Sequence, residues 1–145
     1  MTTSRNINKI EDLIPQRLPI MMVDELLWAE DDVCACRLLV RADNFFLEED
    51  GMMAEPGVIE HIAQSASAFA GYRAVCNGAE EPPVGYIGEV KNFRLCRRPR
   101  LGDVLTTTIS MGATVGGVTI IHGITRDAGE ETIAEIQMKI FVRED

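Results

Sequence analysis

The sequence predicts an α+β domain in which one long central helix is wrapped by a curled antiparallel sheet of about six strands. Three observations point there. Only one long segment, from Val58 to about Cys76, carries helical spacing, and it stands between segments with strand character. Those segments do not alternate with further helices, as a parallel βαβ sheet would require. The helix is also rich in small side chains (Ala63, Ser65, Ala66, Ser67, Ala68, Ala70 and Gly71), which let a sheet approach it closely on several sides.

Taken in order, Asn8 and Glu11 resemble a capping box, opening a short helix that ends near Pro15. An apolar run from Met21 to Trp28, a turn at Ala29-Glu30-Asp31-Asp32 and a second run from Val33 to Arg41 read as a hairpin. Residues 43–54 lack a period and contain Asp50-Gly51, so they form a loop. Pro56 suits the first turn of the helix that follows, where an N–H has no intrahelical partner. Val58, Ile62, Phe69, Tyr72 and Cys76 make its apolar stripe, and Asn77-Gly78 stops it ahead of the loop EEPP at 80–83. Four strands complete the chain. Tyr86 to Arg97 comes first. In the next, Leu105, Thr107, Ile109, Met111, Ala113 and Val115 face one way. Gly116-Gly117 is a primed hairpin turn into Val118–Arg126, and Asp127-Ala128-Gly129 leads to a last strand with Ala134, Ile136, Met138, Ile140 and Val142 on one face. No linker or repeat divides residues 1–145, so one domain is expected.

Bulk properties exclude several classes. A formal net charge of −9 argues against non-specific nucleic-acid binding. No apolar stretch approaches the roughly 20 residues that cross a membrane, and the N-terminus lacks the apolar core of a signal peptide. A cytoplasmic location is therefore the expectation. Cys34, Cys36, Cys76 and Cys96 are too scattered for a zinc ribbon and are read as buried, reduced packing residues; no metal and no cofactor are expected. The segment KNFRLCRRPR gathers five of the fourteen basic residues, Lys91, Arg94, Arg97, Arg98 and Arg100, with no acid among them. It is either a surface for an anionic partner or the solvated face of a strand.

Three pieces in order carry a family resemblance: LIPQRLPIMMVDELL, then NFF followed by EPGVIEHIAQSA, then VGYIGEVKNFRLCRRPRLGDVLT. The chain resembles the hotdog-fold 3-hydroxyacyl-acyl-carrier-protein dehydratases of fatty acid synthesis and their aryl-polyene-type relatives, over nearly its whole length. The resemblance implies catalytic roles for Glu60 and Gln64. They are four residues apart and share a helical stripe with Ser67 and Gly71. In the family the carboxylic acid delivers a proton to the departing 3-hydroxyl. The Pro-Gly-Val match places the backbone of Gly57 and Val58 at the thioester carbonyl. It also implies a dimer or larger oligomer, with active sites formed across the interface.

The expected base is missing. The family's Gly-His-Phe-Pro loop is here FFLEEDGMMAEP, and the histidine of the opening segment is replaced by Gln16. Only His61 and His122 remain. His61 follows Glu60 and so points about 100° away around the helix. His122 shares parity with Val118, Ile120 and Ile124, which suits a core histidine. Met21, Met22, Phe45, Phe46, Met52 and Met53 are either acyl-tunnel lining or core. Three functions stay open: a dehydratase of acyl-carrier-protein or coenzyme A thioesters, a non-catalytic subunit paired with a histidine-bearing partner, and a hotdog thioesterase. The basic residues 91–100 are candidates for the phosphopantetheine phosphate or an acidic carrier protein.

Overall fold

The structure, a computed structural model, describes residues 9–78 and 84–143. Strands β1 (Glu25–Glu30) and β2 (Val33–Leu39) precede helix α1 (Glu55–Cys76). After it come β3 (Val84–Leu95), β4 (Val104–Val115), β5 (Val118–Arg126) and β6 (Thr132–Arg143). One six-stranded sheet runs in the order β1-β2-β4-β5-β6-β3, and every neighbouring pair is antiparallel. The chain thus leaves β2, passes through α1, and enters the sheet at its far edge as β3.

The helix is enclosed as its small side chains predict. Val58, Ile62, Ser65 and Phe69 are buried on one side, and His61, Gln64, Ala68 and Gly71 on another. Strands β1 to β5 all pack against it. The closest approach is at Gly71, where an added Cβ would lie 1.9 Å from the Leu13 carbonyl oxygen. Ile14, Met22, Leu26, Leu105, Ile109 and Ile136 fill the space between helix and sheet with no exposure. Each such side chain stabilises the fold by about 1.5–3 kcal/mol. Gly116 and Gly117 have φ of 61° and 79°, the left-handed pair that a primed turn demands.

Four expectations are corrected. The opening helix is a short 3₁₀ turn, Ile10–Asp12, preceded by Lys9 without a side-chain cap; Asn8 and the loop 80–83 lie outside the described residues. β1 starts at Glu25 rather than Met21, because the backbone at residues 20–22 bonds to side chains of α1 instead of to a strand. Only Cys34 and Cys36 are buried; Cys76, in the last turn of α1, and Cys96, just beyond β3, are exposed. The core face of β5 is Thr119, Ile121, Gly123 and Thr125, the opposite parity to that expected. An added Cβ at Gly123 would be 2.6 Å from Ile62 of the helix, so a small residue is needed at that crossing. His122 accordingly lies on the outer face with its side chain 41% exposed.

Candidate active site

Glu60 lies in the second turn of α1 and is half-buried, with Gln64 one turn further on. The Gln64 amide is held from both ends. Its Oε1 accepts the Met22 N–H at 2.6 Å, which turns Nε2 the other way. That nitrogen donates to the Ile20 carbonyl at 2.9 Å and to Glu60 Oε2 at 2.8 Å. Both N–H groups are thereby used, and one carboxylate oxygen is oriented. When Glu60 is protonated, its proton belongs on Oε1, since Oε2 is already receiving a hydrogen bond. Glu60, Gln64, Ala63 and Ser67 form one wall of a cavity of about 230 Å³; Gln16, Ile87 and Ile140 complete it. Of the predicted helical stripe, Gly71 is absent from the cavity, being pressed against Leu13.

His61 does not enter this cavity. It is fully buried on the neighbouring face of α1, where Nδ1 is 2.7 Å from the Met22 carbonyl and Nε2 is 2.8 Å from Thr107 Oγ1. A carbonyl can only accept, so Nδ1 carries the hydrogen and neutral His61 accepts from the Thr107 hydroxyl. Thr107 in turn accepts from Thr125 at 2.6 Å. Loss of solvent drives the His61 pKa down to about 4, against weaker opposing effects of the Met22 hydrogen bond and the Asp24 charge. Both ring nitrogens are occupied and the ring is neutral. His122 is no nearer: it faces an open depression on the sheet's outer side and bonds Glu135 at 2.9 Å.

Gly57 and Val58 are buried at the start of α1, and the Gly57 N–H donates to the Ala54 carbonyl at 2.9 Å. Met22 and Met53 are core residues and Phe45 is exposed; none of the six candidate tunnel residues lines the Glu60 cavity. Three of the five basic side chains are engaged internally. Arg97 bridges Asp103 at 2.8 Å and Asp127 at 3.1 Å, and Arg94 pairs with Glu135 at 2.6 Å. Arg98 binds Glu48, Asp50 and the Met53 carbonyl, tying the loop ahead of α1 to the β3–β4 connection. Lys91 and Arg100 are exposed and make no ion pair among the described residues. No cluster of metal-ligating side chains occurs among the described residues, and no helix there is long and apolar enough to cross a membrane.

A family model described as ApeP-like, ApeP dehydratase, matches residues 8–145. The chain belongs to the ApeP-like dehydratase family. No curated protein matches it. Among solved structures, this ApeP-like chain is similar to the dehydratase heterocomplex ApeI:P from Xenorhabdus doucetiae. The TM-score is 0.85 at 16% identity, covering 94% of this chain and 91% of that one. It is also similar to a hypothetical thioesterase with coenzyme A from Streptococcus pneumoniae, at TM-score 0.64, 13% identity, and 83% and 86% coverage. The PaaI protein of Escherichia coli superposes with TM-score 0.61 at 14% identity, with 80% of each chain covered. These likenesses show the hotdog fold, a helix on a curled and unclosed sheet.

Two parts of this ApeP-like site are absent from the sequence-level expectation. Gln16 joins the cavity although its segment has no regular structure, and its one signal was its place in the opening segment. The backbone of Ile20 and Met22, which fixes Gln64, left no signal, because a main-chain partner has no residue type to recognise.

Proposed function

We propose that this chain is the acid-bearing half of a dehydratase that removes water from 3-hydroxyacyl thioesters of acyl carrier protein or coenzyme A. The observation that carries this reading is the composition of the Glu60 cavity: an oriented carboxylate with an amide behind it, and no imidazole. Both histidines of the chain are accounted for elsewhere, one sealed in the core and one on the outer sheet face. Elimination still requires a base to take the proton from carbon 2. A second subunit bearing a histidine would supply it. The cavity reaches the sheet's free edge through Ile87 of β3, and Ile87 and Val90 there are 40% and 39% exposed. Apolar side chains along an unpaired edge favour a covering chain. The similar Xenorhabdus structure is named as a dehydratase heterocomplex, which supports a second kind of subunit here.

In the proposed step the partner's base removes the carbon-2 proton and the electron pair forms the carbon 2–carbon 3 double bond. The carbon 3–oxygen bond breaks, and the hydroxyl leaves as water after taking the proton of Glu60. The Gly57–Val58 turn at the helix N-terminus would polarise the thioester carbonyl. Lys91 and Arg100 are the cations proposed to meet the phosphate or the acidic carrier.

Following water loss or addition on 3-hydroxyacyl and trans-2-enoyl thioesters tests this. The chain by itself is expected to be inactive, and a histidine-bearing homologous subunit to restore turnover. Glu60→Gln in the pair should lower that turnover by about 10²–10⁴-fold. Full activity of the chain alone would refute the divided site. Thioester cleavage without water loss would instead assign Glu60 to activating water, as in a thioesterase.

A further inference from the structure

His61 is a buried titratable group that the proposed reaction does not use, yet a chain of hydrogen bonds joins its ring to Glu60. Glu60 Oε2 accepts from Gln64 Nε2, and Gln64 Oε1 accepts from the Met22 N–H. The carbonyl of the same Met22 accepts from His61 Nδ1. Positions 61 and 64 are neighbours on the surface of α1, so one helix grips a single residue of the opening segment by both its polar main-chain groups.

Nothing else polar holds that main chain. Met22 lies in no strand, and among the described residues its N–H and carbonyl have no other hydrogen-bond partner. The N–H groups of Ile20 and Met21 bond back to the Arg17 carbonyl, and that of Asp24 bonds the Arg37 carbonyl of β2. The peptide planes on either side of Met22 are therefore set from the helix. The amide of Gln64 depends on that setting. The Met22 N–H and the Ile20 carbonyl together decide that Oε1 faces the main chain and Nε2 faces Glu60. Turned over, Gln64 would present an oxygen to the Glu60 carboxylate and leave the Met22 N–H unmet. An apolar side chain at position 61 would fill much of the same space but leave the Met22 carbonyl buried without a donor.

We propose that His61 is a positioning residue for the Glu60 carboxylate: by holding the Met22 carbonyl, it fixes Gln64 in the orientation that donates to Glu60. The catalytic consequence rests on the dehydratase reading above. Adjacent in sequence, the two side chains leave the helix on different faces and are joined again through the main chain of Met22. His61 makes no contact with substrate. What it supplies is a fixed direction for the carboxylate, with Oε1 left to carry the proton toward the departing hydroxyl. Its loss therefore acts on the chemical step rather than on binding.

The test has two readouts. In the chain alone, hydrogen exchange of the Gln64 side-chain amide is followed by nuclear magnetic resonance. In the pair with the histidine-bearing subunit, kcat and KM are measured on a 3-hydroxyacyl thioester. His61→Leu should speed the exchange about tenfold, the worth of one hydrogen bond, and lower kcat by a similar factor with KM unchanged. His61→Gln, which keeps a donor for the Met22 carbonyl, should restore both. Ile109→Ala, a core truncation that touches none of these bonds, measures the effect of instability alone and should leave both near wild type. Unchanged Gln64 exchange in His61→Leu would overturn the proposal outright. Equal effects of His61→Leu and Ile109→Ala would overturn it in favour of a general loosening of the core. A loosened Gln64 with kcat unchanged would overturn its bearing on Glu60. If the wild-type pair shows no turnover, the dehydratase reading fails, while the exchange rates still decide whether His61 sets Gln64. Should His61→Leu not fold, His61→Leu/Thr107→Val, which also removes the hydroxyl left without its partner, is compared with Thr107→Val in the same way.

Discussion

Lowering the pH from 7.5 to 5 is expected to destabilise the fold by about 2 kcal/mol through His61. The ring is fully buried and neutral, with its pKa near 4 against 6.5 for an exposed histidine. In the unfolded chain it takes up a proton as the pH falls through 6.5, whereas in the folded chain it resists until about 4. The unfolded state therefore binds more protons inside this window, and stability falls with pH. The contribution is whole above pH 6.5 and is lost on the way down to 4. Each pH unit across the window is worth about 1.4 kcal/mol, which gives about 2 kcal/mol at pH 5 and about 3 kcal/mol over the full range. For a chain of 145 residues this lowers the melting temperature by about 6 °C at pH 5. The assay is thermal unfolding by circular dichroism at both pH values and one protein concentration. His61→Gln is the comparison, since its amide keeps a donor and an acceptor between the Met22 carbonyl and the Thr107 hydroxyl and does not titrate. That variant starts lower but should lose about 6 °C less on acidification. If wild type and His61→Gln lose the same amount, the buried neutral imidazole is not the source of acid sensitivity and the hydrogen-bond directions assigned to Met22 and Thr107 are wrong.

Gly71→Ala should lower stability by about 2 kcal/mol or more, read as a fall in urea midpoint, although alanine is the better helix former by about 1 kcal/mol. The added methyl would meet the Leu13 backbone at 1.9 Å, and backbone has no rotamer by which to yield. Gln64→Glu should lower the melting temperature at pH 7.5 by an amount equivalent to about 2–3 kcal/mol, because a carboxylate would then face both Ile20 O and Glu60. Relative to wild type at the same pH, that deficit should shrink on acidification as the new carboxylate regains a hydrogen to donate.

Much of the architecture was legible because two simple periods carry it. The alternation from Leu105 to Ile109 and from Ala134 to Ile140 marks core faces that are buried as expected. The small residues of α1 are legible for a steric reason, since a helix contacted on several sides has no room for bulk at Ala63, Ala66, Ala68 or Gly71. β5 misleads. Its apolar Ile120 is 47% exposed, while Thr119, Thr125 and Gly123 face the helix. The threonines are tolerated inside because Thr114 bonds Thr119 and Thr107 bonds Thr125, so polarity there says nothing about burial.

The sequence by itself determined the class of fold, the position of the long helix, and the adjacency of Glu60 and Gln64, since four residues of helix bring two side chains to one face whatever surrounds them. It also determined that no histidine precedes the helix. Only the tertiary structure decided which of the remaining groups reach the cavity. His61 is next to Glu60 in the chain yet sealed away from it, and Gln16, forty-four positions earlier, shares the cavity. The reason is the sheet. It closes over one face of α1 and consumes the polar groups there, while at its free edge a neighbouring face stays open, and chemistry is left to the groups that face the opening.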